Sequence, residues 1–332
     1  MTGAHEMRFF HWGRILVALS MLAMTSNLVH ALTHDAWPSK PIRLIVPFAL
    51  GSFTHTAARS VGAELTALLG QPVLVEARAG AGSFLGTDVV AKAAPDGYTF
   101  LVTDNSFAVT AILHDRPSYS LKDFTQVSLI ADAPAVLVAR PTLAASTLSE
   151  VVELARKEPG KLTFGSGGTG SSAHLAMEAF LLKYKLEMTH VPFKGVAAAI
   201  FDVSAGRVDL AISSIGSTAG YIKDSRIRAL AVTGAKRLDV FPDIPTFAEA
   251  GFPNYDMMYW FGLMAPAGTP AEIVNRMQKA IAKAIDSEKV KEVFVGSGVR
   301  PIATTPEAFA QIVQNETNLW SEVIHRGKIK AE

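Results

Sequence analysis

Ile42-Arg43-Leu44-Ile45-Val46-Pro47-Phe48-Ala49-Leu50-Gly51-Ser52-Phe53-Thr54-His55-Thr56 is the stretch from which the rest of the chain can be read. Residues 42–48 form a short apolar block, the pattern of a strand covered on both faces. Gly51 and Ser52 interrupt it. From 56 to 69 apolar residues then recur at helical spacing until Gly70 stops the run. Strand, polar glycine loop and helix are the repeating unit of an α/β fold.

Working outward, the unit recurs. Further strands are expected at 73–76, 99–102, 136–139, 162–164, 190–193, 210–213, 227–232 and 261–265, and helices at 83–93, 144–158, 270–286 and 306–325. The 144–158 segment contains Ser146-Thr147 and, three residues on, Glu150, the spacing of a capping box. The alternation predicts α/β architecture with mostly parallel sheets. Two extended segments, 132–139 and 254–265, flank the middle third. If both cross between lobes, the first lobe is discontinuous (32–134 and 262–332) and the second continuous (135–261). The cleft between them is where a small ligand binds.

The beginning of the chain reads as a signal peptide, residues 1–31. Arg8 and Arg14 precede an apolar run of about ten residues, 15–24, too short to span a membrane. Val29-His30-Ala31 places cleavage near Ala31, which makes the protein periplasmic. No cysteine follows, so a lipoprotein anchor, disulfides and thiolate chemistry are excluded. Removing Arg8, Arg14 and Glu6 from the 31 basic and 30 acidic side chains leaves 29 of each. That balance lacks the positive footprint of a nucleic-acid binder. No later run is long enough for membrane insertion.

A second loop matches the first: Gly165-Ser166-Gly167-Gly168-Thr169-Gly170-Ser171-Ser172-Ala173-His174. Both loops follow a strand and precede a helix, so both deliver amides and hydroxyls at a helix N-terminus. Those amides lack partners within the helix, and the helix dipole favours an anion there. Facing each other across a cleft, the loops would grip a carboxylate. Candidate ligand-binding residues are Phe48, Gly51, Ser52, Phe53, Thr54 and His55 in the first loop and Ser166, Gly168, Thr169, Gly170, Ser171 and His174 in the second. Three polar strand ends add Asp104 and Asn105, Phe193 and Lys194, and Ser213 and Ser214.

Enzymatic readings fit less well. Gly165-x-Gly167-x-x-Gly170, with Glu187 about twenty residues on, matches a dinucleotide fingerprint. The motif alone is weak, and an exported protein meets little such cofactor. A hydrolase would use Ser171 and His174, yet no Gly-x-Ser-x-Gly elbow surrounds Ser166 or Ser171. His34, His55, His114, His174, His190 and His325 are scattered without metal-ligand spacing. Neither cofactor nor metal is expected.

Longer matches run through the whole mature chain. They include Trp37-Pro38-Ser39-Lys40-Pro41-Ile42-Arg43, Leu69-Gly70-Gln71-Pro72-Val73, Ala91-Lys92-Ala93-Ala94-Pro95-Asp96-Gly97-Tyr98-Thr99, His190-Val191-Pro192-Phe193-Lys194-Gly195, Pro242-Asp243-Ile244-Pro245-Thr246 and Ala265-Pro266-Ala267-Gly268-Thr269-Pro270. This sequence resembles the substrate-binding proteins of tripartite tricarboxylate transporters, the TctC/Bug family. The resemblance implies a type II periplasmic-binding-protein-like α/β fold, two lobes with a hinge and a ligand cleft between them. It implies a small carboxylate ligand, binding without catalysis, and as partner either membrane permease subunits or a sensor protein. The chain is expected to act as a monomer.

Two departures bear on the ligand. The family's first loop usually reads Pro-Phe-Pro-Pro-Gly-Gly and then x-x-Asp; here Ser52 and His55 stand at the altered positions. Where the family often has Asp-Asn, this chain has Ser213-Ser214. Both changes remove a carboxylate that the family usually has, which predicts a cleft lacking those acids and a mono- or dicarboxylate ligand without an ammonium group. Phe53 is expected to add an apolar wall.

Overall fold

In the computed structural model, which describes residues 37–113, 118–327 and 329–330, the expected strand-loop-helix unit opens the fold. The expected signal peptide, and with it His34 and His114, lies outside the described residues. The chain divides into Met1–Ser39 and Lys40–Glu332, and the architecture below is that of the second unit.

β1 (Ile42–Val46) leads through α1 (Phe53–Leu69) to β2 (Val73–Ala77), and α2 (Phe84–Ala91) leads to β3 (Thr99–Asp104). α3 (Ser106–Leu113) precedes β4 (Phe124–Ala139). Next come α4 (Leu148–Lys157), β5 (Thr163–Ser166), α5 (Ser172–Tyr184), β6 (Thr189–Pro192), α6 (Val196–Ser204), β7 (Leu210–Ser214), α7 (Ile215–Lys223) and β8 (Arg228–Val232). β9 (Met258–Pro266), α8 (Ala271–Ile285), α9 (Glu288–Val295), β10 (Arg300–Pro301) and α10 (Pro306–Gly327) follow.

Strand pairing runs β2-β1-β3-β9-β4-β7-β5-β6, with β8 and β10 also paired to β4. The strand that joins the two halves is β4. From Phe124 to Pro134 it pairs with β9, and from Ala135 to Ala139 with β7 on one side and β8 on the other. Pro134 stands at the change of partners, where a residue with no N–H to donate costs least.

The expectation of mostly parallel sheets is corrected. β1, β2 and β3 are parallel, as are β5, β6 and β7, but β4 and β9 run antiparallel to the strands they touch. A chain that leaves one half and returns to it must run back along the strand by which it left. The expected strand 136–139 is only the tail of β4, because Gln126, Asp132 and Pro134 break the apolar pattern ahead of it. The helix expected at 83–93 is shorter: a tight turn at Ala81–Ser83 precedes α2. α9 is an additional helix between the two expected at the end of the chain.

The first half is built around Ile45, Leu101, Phe107, Phe124, Leu129, Trp260, Met264 and Phe309. Helix α10 is seated on this core by its buried Phe309, Val313 and Trp320. Phe180, Tyr184, Phe247, Phe252 and Tyr255 form an aromatic cluster in the second half. These cores hold the strand ends in place, so the loops above them are presented from rigid supports.

Candidate ligand-binding cavity

A cavity of about 410 Å³ lies beyond the carboxyl ends of β1, β3, β5, β6 and β7. Four helices begin at its wall. Ser52 caps α1 and Ser171 caps α5, each hydroxyl accepting the amide of the residue three further on, His55 and His174. Gly195 and Ser214 occupy the same position for α6 and α7. All four capping residues line the cavity. Two helix N-termini were expected, and four converge. Their first-turn amides lack helical acceptors and their dipoles point the positive end inward, which suits an anion.

The two halves touch across this space. The Ser172 amide donates to Ser106 Oγ at 2.9 Å, and the Phe53 amide to Ser217 Oγ at 3.1 Å. Gly82, from the turn before α2, packs against the 165–174 loop so closely that a Cβ would stand 2.7 Å from the Thr169 carbonyl oxygen. Likewise a Cβ on Gly170 would stand 2.6 Å from Leu113.

Of the sequence candidates, Phe48, Ser52, Thr54, Asp104, Gly168, Thr169, Ser171, Phe193, Lys194, Ser213 and Ser214 line the cavity. Lys194 is exposed and sits at the rim. The others do not line it. Phe53 is no apolar wall: it is buried 5.0 Å from Phe261 and 5.3 Å from Phe294, ring centre to ring centre. The wall is built instead from Phe48, Phe193 and Phe261. His55 is part-exposed on α1, where burial and Arg59 lower its pKa. Gly51 is exposed, and a Cβ on it would stand 3.1 Å from Ala197. Asn105 bonds away from the cavity, donating to the Met258 carbonyl and Glu316 and accepting from the Trp260 amide.

Ser166, Gly170 and His174 act behind the loop. Ser166 Oγ accepts the Gly168 amide and pairs with His190 Nε2 at 2.6 Å. His174 Nδ1 accepts the Gly170 amide at 3.2 Å. The two imidazoles stack 4.0 Å apart, and Phe164 stacks against both, 4.9 Å from His190 and 6.3 Å from His174. Burial first, and then His174, hold the His190 pKa down at about 3, so the ring is neutral and able to accept. This backing fixes the loop's conformation. Ser171 Oγ accepts the backbone amide of His174, while that ring faces Gly170 and Glu178, so Ser171 and His174 do not pair through their side chains.

Asp104 keeps an acid in the cavity wall. Its carboxylate lines the cavity, accepting the Ser106 amide at 2.8 Å and meeting Ser172 Oγ at 3.5 Å. Burial pushes its pKa up to about 6, against hydrogen bonds from Ser106, Ser172 and Thr54. Ser83, Ser217, Tyr259 and Phe261 are among the cavity residues that escaped the sequence reading. The hydroxyls of Tyr259 and Ser83 are buried and have no hydrogen-bond partner among the described residues. Tyr259 sits in an aromatic run that reads as core. Only the pairing of β3 with β9, which sets Asp104 opposite Phe261, brings it to Asp104.

Comparison with known proteins agrees with this geometry. The family model described as tripartite tricarboxylate transporter family receptor, TctC, matches residues 57–329. A UPF0065 protein encoded in the tcbD–tcbE intergenic region of a Pseudomonas sp. is 37% identical over 320 residues, 96% of this chain and 95% of the relative. Among solved structures, the periplasmic binding protein BugD aligns with a TM-score of 0.84 at 29% identity, over 89% of this chain and 100% of its own. MatC from Rhodopseudomonas palustris, with bound malate, aligns at 0.83 and 32%, over 87% and 100%. A second R. palustris protein, with adipate, aligns at 0.84 and 32%, over 89% and 99%. The fold is therefore the two-lobed α/β fold of periplasmic binding proteins, and the chain belongs to the TctC family of tripartite tricarboxylate transporter receptors.

Proposed function

We propose that the protein is a periplasmic receptor that closes two lobes around a small carboxylate and hands it, unchanged, to the permease of a tripartite tricarboxylate-type transporter. The observation that carries this reading is the convergence of four helix N-termini on one cavity. The ligand carboxylate sits between Ser52 and Thr54 of α1 and Thr169, Ser171 and Ser172 of α5. Preorganised amide donors there replace its hydration shell. Lys194 at the rim draws anions toward the entrance. Malate in MatC and adipate in its neighbour support a ligand of this class.

The lobes divide at 134/135, where β4 changes partners, and on the return near 258–262, where β9 joins β3 and β4. Closure about these two strands couples binding to a shape that a membrane partner recognises. Calorimetric titration of the mature protein with propionate, succinate, malate, adipate and citrate tests the reading. At least one should bind with 1:1 stoichiometry and be recovered unaltered by chromatography. Failure of all five, or conversion of a bound acid, refutes it.

A further inference from the structure

The floor of the cavity carries three polar groups that the protein leaves incompletely paired. Asp104 accepts the Ser106 amide at 2.8 Å and meets Ser172 Oγ at 3.5 Å, and has no basic side chain within ion-pair distance among the described residues. A carboxylate offers about four acceptor sites, so it can take one more donor. Tyr259 Oη, on a residue 3% exposed, has no hydrogen bond of good geometry among the described residues and only a weak contact with the Ser172 hydroxyl. Ser83 Oγ, on a residue 2% exposed, is unpaired on the facing turn. Buried hydroxyls without partners are rare and costly, and here both line a ligand cavity.

The group that completes this floor must donate to Asp104 and accept from Tyr259. An ammonium donates but offers no acceptor to the tyrosine hydroxyl. A second carboxylate accepts but meets the charge of Asp104. A methylene does neither. An alcohol hydroxyl does both at once, donating its proton to the carboxylate and accepting the phenol's. We propose that Asp104 and Tyr259 are specificity-determining residues that read a hydroxyl on the bound acid, so that the receptor selects hydroxycarboxylates over their unsubstituted and amino counterparts. This rests on the reading of the site as a carboxylate receptor. The relatives leave it open, since one of the two acids they hold carries a hydroxyl and the other does not.

The experiment is calorimetric titration with matched pairs that differ by one hydroxyl: propionate and lactate, succinate and malate, glutarate and 2-hydroxyglutarate, with aspartate as the amino counterpart of malate. For whichever chain length binds, the hydroxy acid should bind about tenfold to a hundredfold tighter than its partner. Tyr259→Phe removes an oxygen without a hydrogen bond of good geometry among the described residues, so the fold should be retained. It should cut the hydroxyl advantage to below about threefold by weakening the hydroxy acid more than its unsubstituted partner. Asp104→Asn should abolish the same advantage. Equal affinities within every pair, tightest binding of aspartate, or an equal loss for both members of a pair in Tyr259→Phe would overturn the inference while leaving the carboxylate site standing. Absence of binding by every acid overturns both.

Discussion

Asp104 in the cavity wall and His190 behind the 165–174 loop set opposite pH responses. Asp104 ordinarily titrates at 3.8 and is raised to about 6, so between those values the folded state holds a proton that the unfolded chain releases. Stability at Asp104 therefore rises as pH falls through this window. His190 is lowered from 6.5 to about 3, so the unfolded chain takes up a proton that the folded ring refuses, and stability falls over the same range. Each effect is at most about 1.4 kcal/mol per pH unit. His190 is only part-buried, so its share is smaller. The two oppose each other between about pH 6 and pH 4. Asp104→Asn removes one side, so the variant should lose up to about 2 kcal/mol relative to wild type over that interval. Urea denaturation at pH 6, 5 and 4 reads this directly, and a constant difference between the two proteins would refute it. Gly82 makes a steric prediction at the same scale. Its φ of 64° is accessible to alanine at a cost of about 1 kcal/mol, but the added Cβ meets the Thr169 carbonyl, a backbone atom that cannot rotate away. Gly82→Ala should fold and yet bind at least about tenfold more weakly, because closure is blocked. Wild-type affinity in the variant would show that closure does not bring these loops together.

Secondary-structure elements were legible to different degrees. The 165–174 loop could be read because its signals are local: glycine at Gly168 and Gly170, both at positive φ, and Ser171 one residue before the helix. β4 could not, because a strand with different neighbours at its two ends has no single hydrophobic period. The two stacked histidines were equally hidden. They lie on α5 and β6, and the pairing of β5 with β6 is what brings His190 alongside Phe164 and so over His174. At α5 the capping hydroxyl supports both the helix and the site. Ser171→Ala should cost about 1 kcal/mol of stability and also weaken carboxylate binding. Ser287→Ala, the equivalent loss at the remote α9, should cost a similar amount of stability and leave binding unchanged. Parallel denaturation and titration of both variants separate the two roles; equal effects on binding would refute the assignment.

For the whole molecule, β4 and β9 are the strands by which the chain passes between its halves, and the proposed closure would turn about them. Ligand binding should therefore both compact and stabilise the protein. At a concentration about one hundred times Kd, the gain is about 2.7 kcal/mol, a rise in Tm of about 4 °C for a chain of this size. Small-angle scattering should show a smaller radius of gyration with ligand than without. In Gly82→Ala that contraction should be absent, and its persistence there would contradict the steric account.

The sequence by itself determined the α/β units, the two glycine-serine loops at helix starts and the family, because these depend on local periodicity, turn chemistry and residue order. Tertiary structure alone decided which polar groups face the ligand. It turned Phe53 and Asn105 away, withdrew Ser166 and His174 behind their loop, and placed Asp104, Ser83 and Tyr259 at the cavity. The physical reason is that a side chain's direction follows strand register and the packing of distant elements. The spacing of β3 from β9 along the chain carries no trace of the one pairing that sets Asp104 opposite Phe261.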